Sequence, residues 1–468
     1  MNQSFLVSTE CPTCGAPLDF SEGANAVQCA HCKSNLLITG RKTVLRYYVD
    51  PNLKQGEVPA SALTSDGGEE PPLAGKAVRQ ELVYLPFFRF RGHDFHWQTI
   101  VHPGADEEKN EDPPGLSPLL NLLSTSLENH GFSETIQSIQ AHHAEKEETG
   151  FEDRYIEKNF IALKSSDFGI YSLGVRPGVL KLKLFGAQEI SAKQMICPEL
   201  KEEEAVERGL KPAESRKLIY RQVLGRMLSL VYFPFLIVEV ETRGNHTLSI
   251  VDAVSGSAVR KGAPPGLMAI LEERLESAGE QIHFRALTCP NCGWDLPVRP
   301  DDILFFCRSC GKGWEISGER LIERPSETVR FQGVPCEGEI CFLPFWIFEK
   351  GFAGENLKFL VPAFRYRRLK TLLDLATALV RRNSPLESFK PERGEYTGCF
   401  YDQEDAFRLA EAVEARLKLE KYGKLAPLPG EKDATPGNAT LSWLPFLRKG
   451  VNLSEPLTGI TLTQNLLF

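Results

Sequence analysis

Hydrophobic positions along this chain fall into short alternating runs more often than into helical stripes. Residues 81–90 (ELVYLPFFRF) alternate and are rich in aromatic side chains, which predicts a strand, and residues 93–101 predict its partner. Further strands are predicted at 43–49 (TVLRYYV), 160–163, 178–184, 231–241 (VYFPFLIVEVE) and 248–259, the last with a turn at Ser255-Gly256. Helical spacing predicts helices over 116–129, over 213–230 and over 267–278. In the second of these, Leu218, Ile219, Val223, Leu224 and Met227 share one face. Later in the chain, strands are predicted at 329–331, 340–348 (ICFLPFWIF), 357–364 and 441–447, and helices at 369–383 and 404–421.

One motif recurs in this pattern. An aromatic-rich strand with proline before phenylalanine occurs at Tyr84-Leu85-Pro86-Phe87, Tyr232-Phe233-Pro234-Phe235, Phe342-Leu343-Pro344-Phe345 and Trp443-Leu444-Pro445-Phe446. Proline cannot donate to a strand ladder, so each motif is expected where a strand bends or lies at an edge. Two copies fall in each half in the same order, and a similar turn follows the second (Ser255-Gly256) and the fourth (Thr458-Gly459). Duplication with pseudo-twofold packing is therefore expected. Residues 51–77 and 103–114 are rich in Gly, Pro and acid and are read as flexible.

The cysteines sharpen the repeat. Cys11, Cys14, Cys29 and Cys32 read C-x2-C-x14-C-x2-C, and Cys289, Cys292, Cys307 and Cys310 read the same. Four thiolates in two C-x2-C pairs suit a tetrahedral structural Zn2+ and leave no position open for a catalytic water. Gly15 and Gly293 after the first pair of each group suit the positive φ of such a turn, and Gly311 follows the last cysteine where the first group has Lys33. The chain opens Met1-Asn2-Gln3-Ser4 with no basic or apolar leader, which argues against a disulfide framework and for a cytoplasmic location. The Cys-Pro-x-Cys-Gly knuckles resemble the zinc-ribbon superfamily, whose members serve in transcription and replication proteins and as docking modules. The rest of the chain resembles uncharacterised bacterial zinc-ribbon proteins with a Leu-Pro-Phe-Trp-like strand, and that resemblance implies no activity.

The chain carries 54 basic and 62 acidic residues, a net charge of −8. From Leu287 onward the two signs number 24 each, so the acidic excess lies in the first part. Neither cysteine group is basic, which disfavours phosphate contact there. One dense basic cluster, Arg365, Arg367, Arg368 and Lys370 with Arg381 and Arg382, flanks the helix predicted at 369–383 and is a candidate contact for phosphate or an acidic partner. His93, Asp94, His96 and His102 are read as a coincidental cluster. Cys197, Cys336, Cys341 and Cys399 are read as buried free thiols, Cys336 and Cys341 on opposite faces of a strand. On alternation, Phe87 and Arg89 share one face and Phe88 and Phe90 the other, so one face is a candidate exposed surface. No Walker loop, G-x-G-x-x-G, G-x-S-x-G or H-E-x-x-H motif occurs, and no apolar run reaches membrane length.

These readings predict a duplicated α+β protein. Its parts are a ribbon at 1–40, an α+β domain at 41–266, a connecting helix at 267–286, a second ribbon at 287–320 and a second α+β domain at 321–468. The expected function is a non-enzymatic scaffold or adaptor that docks unidentified protein partners. The alternatives are a nucleic-acid accessory factor working through residues 365–382 and an enzyme with an unrecognised site between the halves.

Overall fold

The structure, a computed structural model, describes residues 5–39, 44–53, 56–63, 75–102, 146–163, 170, 180–184, 194–211, 218–263, 282–352, 354–390, 394–422 and 439–467. These divide into two compact units. One comprises residues 1–94, 154–211 and 223–468, and the other residues 95–153 and 212–222. The helices expected at 116–129 and 267–278 lie outside the described residues.

The first cysteine group sits among β1 (Leu6–Glu10), β2 (Pro17–Ser21), β3 (Ala26–Gln28) and β4 (Asn35–Thr39). After β5 (Leu45–Tyr48) and a short helix α1 (Ala60–Leu63) come two long strands, β6 (Lys76–His102) and β7 (Lys146–Ile161). Then follow β8 (Lys181–Leu184), β9 (Gln194–Met195), helix α2 (Glu202–Leu210), β10 (Leu218–Thr242), β11 (Asn245–Asp252) and β12 (Ala258–Ala263). β13 (His283–Ala286) leads into the second cysteine group, which carries β14 (Leu304–Phe306), β15 (Gly313–Ser317) and β16 (Arg320–Arg324). The remainder is β17 (Ser326–Phe331), β18 (Ile340–Phe352), β19 (Glu355–Pro362), α3 (Leu369–Arg382), β20 (Leu386–Ser388), β21 (Glu395–Tyr396), α4 (Gln403–Tyr422), β22 (Ala439–Lys449), β23 (Asn452–Ser454) and β24 (Thr461–Thr463).

A 10-stranded mixed sheet runs β12-β11-β10-β5-β8-β1-β2, with β6 joining β7, β9 and β10. An 8-stranded mixed sheet runs β19-β18-β22-β17-β20, with β21 on β18, and β23 joining β22 to β24. The chain is richer in strand than its periodicity predicted. Residues 218–230 belong to strand β10, not to a helix. Gly225 has φ 57°, which breaks the alternation of the strand and leaves apolar residues at helix-like intervals. Residues 283–286 of the expected connecting helix are likewise strand, paired with β4. Residues 93–101 are not a partner strand but the continuation of β6.

The four proline motifs lie in interior strands rather than at edges, and three of them mark a handover on one flank. β5 runs parallel to β10 as far as Tyr232, and antiparallel β11 begins at Phe235, so Pro234 falls in the gap. Parallel β21 ends at Phe342 and antiparallel β19 begins at Phe345, with Pro344 between them. Parallel β17 ends at Trp443 and antiparallel β23 begins at Leu447, with Pro445 between. Parallel β9 ends at Tyr84, just before Pro86. The missing N–H thus points where no carbonyl waits for it.

Backbone bonds around these motifs match across the chain. The Ala162 N–H donates to the Pro86 carbonyl at 2.8 Å and the Ala363 N–H to that of Pro344 at 2.9 Å. The N–H groups of Ile196 and Thr397 donate to the carbonyls of Tyr84 and Phe342, each at 3.0 Å. The Ala162 carbonyl accepts from Glu199 and Leu200, and that of Ala363 from Phe400 and Tyr401. A helix then begins at Glu202 in one case and at Gln403 in the other.

Both faces of the first motif strand are buried. Phe87 joins a core with Phe5, Val27, Tyr47, Val231 and Phe235, while Phe88 and Phe90 join one with Tyr48, Phe160 and Tyr232. Arg89 is fully buried as well, in an ion pair with the equally buried Glu22, whose other oxygen accepts from Ser229. Glu157 accepts from Arg89 Nε at 3.0 Å. Helix α3 lays Leu372, Leu373, Leu375, Ala376, Leu379 and Val380 inward, and ends at Asn383, whose positive φ of 42° closes the last turn. In the second unit, Trp97 packs against Phe151 at 4.9 Å and Tyr220 at 5.4 Å.

Candidate metal centres and a neighbouring cleft

The four Sγ atoms of Cys11, Cys14, Cys29 and Cys32 lie within 4.8 Å of one another, as do those of Cys289, Cys292, Cys307 and Cys310. The closest pairs are Cys11–Cys32 and Cys14–Cys29 at 3.8 Å, Cys289–Cys310 at 3.6 Å and Cys292–Cys307 at 3.5 Å. A tetrahedron of sulfurs bound at about 2.3 Å has edges of about 3.8 Å, so both groups fit one tetrahedral zinc ion.

Local backbone chemistry builds these groups. Each begins a turn in which the first cysteine's N–H donates to the carbonyl five residues on, and its carbonyl accepts from the residue four on. The bonds are Cys11→Ala16 and Gly15→Cys11, both 2.8 Å, and Cys289→Trp294 at 2.8 Å with Gly293→Cys289 at 2.9 Å. The second turns repeat this at Cys29 and Cys307. The closing residue has positive φ in all four: Gly15, Lys33, Gly293 and Gly311.

The thiols are not alike. Burial pushes Cys289 up, but the N–H groups of Cys292 and Asn291 together with the Cys292 and Cys310 sulfurs outweigh it and bring the thiol down to about 6. Trp314 Nε1 also donates to the Cys289 sulfur at 3.1 Å. Cys307 is pushed up to about 12, by burial first. Cys32 falls to about 6 because the Ser34 side chain and N–H face its sulfur. Cys11, Cys29, Cys289 and Cys307 are buried, whereas Cys14, Cys32 and Cys292 are exposed. Beside the second group, a groove of about 430 Å³ is lined by Asn35, Trp294, Leu296, Pro297, Cys307 and Arg308. Trp294 stands 67% exposed at its wall.

A second concavity, of about 230 Å³, is lined by Asn25, Gly225, Arg226, Asp301, Phe400 and Asp405 among others. Asp405 is buried, and burial pushes its carboxyl up to about 7, with Asp402 adding to the effect. Its oxygens accept from the Gly225 N–H at 3.0 Å and from Arg408 at 3.1 Å. Sequence reasoning missed this acid, because its environment is assembled from segments far apart in the chain.

The basic cluster is divided. Arg365 turns onto Asp301 at 2.7 Å and lies 5.1 Å from the Phe400 ring centroid. Arg381 pairs with Glu420 of α4. Arg367, Arg368, Lys370 and Arg382 are exposed. Arg382 stands at the far end of α3 from Arg368, about 21 Å away at the helical rise. Among the described residues, no metal-competent group forms at His93, Asp94 and His96. Asp94 faces Arg154 at 3.6 Å, and His96 faces Glu152 at 3.5 Å; the side chain of His102 is outside the described set. Of the remaining thiols, Cys341 and Cys399 are buried and held protonated by burial. Cys197 is exposed, contrary to expectation, and Cys336 is half-buried in a loop before β18 rather than on a strand. No helix among the described residues is long and apolar enough to cross a membrane. Comparison of the chain with protein-family models, with curated proteins and with solved structures returned no match.

Proposed function

We propose that this chain is a scaffold built on two structural zinc ribbons, which docks partner proteins, and that it arose by duplication of a ribbon-plus-sheet unit. The observation that carries the scaffold reading is the pair of all-cysteine groups with tetrahedral sulfur spacing. Such a site has no open position for substrate or water, so its metal holds structure. The exposed Trp294 beside its groove supplies an aromatic anchor of the kind enriched at interfaces. The duplication reading is supported by the matching bonds made by Ala162 and Ala363 and by Ile196 and Thr397, and by the handovers at Pro234, Pro344 and Pro445. The test is capture of partners by the full chain from nuclease-treated and untreated lysate, with zinc counted on the same sample. Two zinc ions per chain and a nuclease-resistant protein partner lost in Trp294→Ala support the reading. Partners that vanish with nuclease, or that Trp294→Ala retains, oppose it.

A second reading has its own observation. The cleft at Asp405 holds a buried acid raised to about 7, which is the protonation range of a general acid–base group. Under this reading the chain is an enzyme or small-molecule binder. A ligand-induced thermal shift in the wild type that Asp405→Asn abolishes would favour it over the scaffold.

A further inference from the structure

The hairpin of the first cysteine group is part of the core of the second. Strand alternation divides β3 and β4 between two clusters. Val27, Leu36 and Ile38 pack with Cys11 and Cys29. Ala26 and Leu37, on the opposite face, pack with Leu287, Cys289, Leu296, Phe305, Cys307 and Trp314. One strand therefore carries one ligand shell on each side.

Polar contacts fix the same junction. β13 pairs with β4 from His283↔Thr39 to Ala286↔Leu36. The Leu287 N–H continues the ladder onto the Asn35 carbonyl at 2.8 Å, two residues before Cys289. Asn35 Nδ2 donates to the Leu296 carbonyl at 3.0 Å. The Asn25 N–H donates to the Pro300 carbonyl at 2.5 Å, and its Nδ2 to that of Asp302 at 3.0 Å. Leu296, Pro300 and Asp302 all belong to the segment between Cys292 and Cys307. The link between β3 and β4 is itself the Cys29–Cys32 turn.

We infer that the two metal sites are thermodynamically coupled, so that zinc in either one raises the affinity of the other through the β3–β4 hairpin. The inference rests on the reading that both groups bind zinc. A two-stranded hairpin is marginal alone, and small metal modules lose their fold with their metal. Emptying the first site frees the hairpin that forms one wall of the second core. Coupling through a shared element is reciprocal, which sets it apart from general damage.

The test uses the full chain and zinc itself. Cys14→Ser with Cys32→Ser removes the first site at its two exposed ligands, and Cys292→Ser with Cys310→Ser removes the second. Chelator competition then gives the affinity of the surviving site in each. The expected result is a loss of about tenfold in both, and by the same factor. A surviving site within twofold of wild type, or factors that differ by more than threefold, overturns the coupling. Leu37→Ala keeps all eight cysteines and serves where the serine variants do not fold. In that variant, emptying the second site is expected to leave the affinity of the first unchanged, and coupling as strong as in wild type overturns the proposed route. Wild-type protein that fails to take up two zinc ions overturns the zinc reading itself, an outcome distinct from two ions bound independently.

Discussion

Asp252 and Glu455 head the same turn in distant parts of the chain. Asp252 Oδ1 accepts from the N–H groups of Val254 and Ser255, at 2.8 and 3.1 Å. The Glu455 oxygens accept from Leu457 and Thr458, at 3.0 and 2.6 Å. Gly256 and Gly459 close the turns with φ of 75° and 72°, and their N–H groups return to the carbonyls of Asp252 and Glu455. This is the ring of bonds seen at Cys11 and Cys289, with a carboxylate in place of the thiolate. Asp252→Ala and Glu455→Ala are each expected to cost about 1–2 kcal/mol, because the two backbone donors of each turn, and at Glu455 the Thr458 hydroxyl as well, lose their acceptor. Urea unfolding measures this, and an unchanged midpoint would show that the carboxylates are dispensable.

Lys33 occupies the closing position where the other three cysteine turns have glycine, and holds φ 61°. The left-handed conformation costs a side-chain-bearing residue about 1–2 kcal/mol. Lys33→Gly is expected to stabilise the first cysteine module by about 0.5–1 kcal/mol, net of the greater freedom of glycine when unfolded. A chelator-resistance assay reads the gain as slower metal loss.

The proline handover makes a positional prediction. Pro344 faces Trp443 where β18 needs no donor, while Leu343 pairs with Leu444 one position earlier. Pro344→Ala is expected to change stability by less than about 1 kcal/mol, whereas Leu343→Pro is expected to cost at least about 3 kcal/mol. Equal effects in denaturant melts would refute the handover account.

The Arg89–Glu22 pair is wholly buried. Glu22→Gln leaves the buried guanidinium with Glu157 as its remaining counter-charge and is expected to cost about 3 kcal/mol. Because Glu22 follows β2, the loss should also speed hydrogen exchange across β1 and β2.

Asp405 sets a pH dependence. Its folded carboxyl, at about 7, lies above the ordinary value of 3.8, so the folded chain holds the proton more tightly than the unfolded chain. This contribution is complete below about pH 4 and is lost as pH rises to about 7, by at most about 4 kcal/mol. Asp405→Asn is expected to flatten the stability profile over that window, measured by denaturant midpoints at successive pH values.

The sequence by itself determined the features that depend on neighbours in the chain. C-x2-C spacing and glycine placement were enough to locate both cysteine groups, because a knuckle is a turn of a few residues. The runs at 340–348, 357–364 and 441–447 emerged as strands, and those at 369–383 and 404–421 as helices, where period and amphipathicity agree. Tertiary structure decided the rest. Residues 218–230 carry a helical period yet form strand β10, because pairing with β5 and β6 outweighs local spacing and Gly225 disrupts the alternation. The burial of Arg89 depends on Glu22 and Glu157 meeting it from separate segments, with Ser229 from a third holding Glu22. Leu37 shows the division most plainly. The sequence predicted no strand at 35–39, and only the pairing of β4 with β13 places Leu36 and Leu37 against different cysteine groups. Local periodicity records which residues share a face. What each face meets is set by long-range backbone pairing, which leaves no local signature.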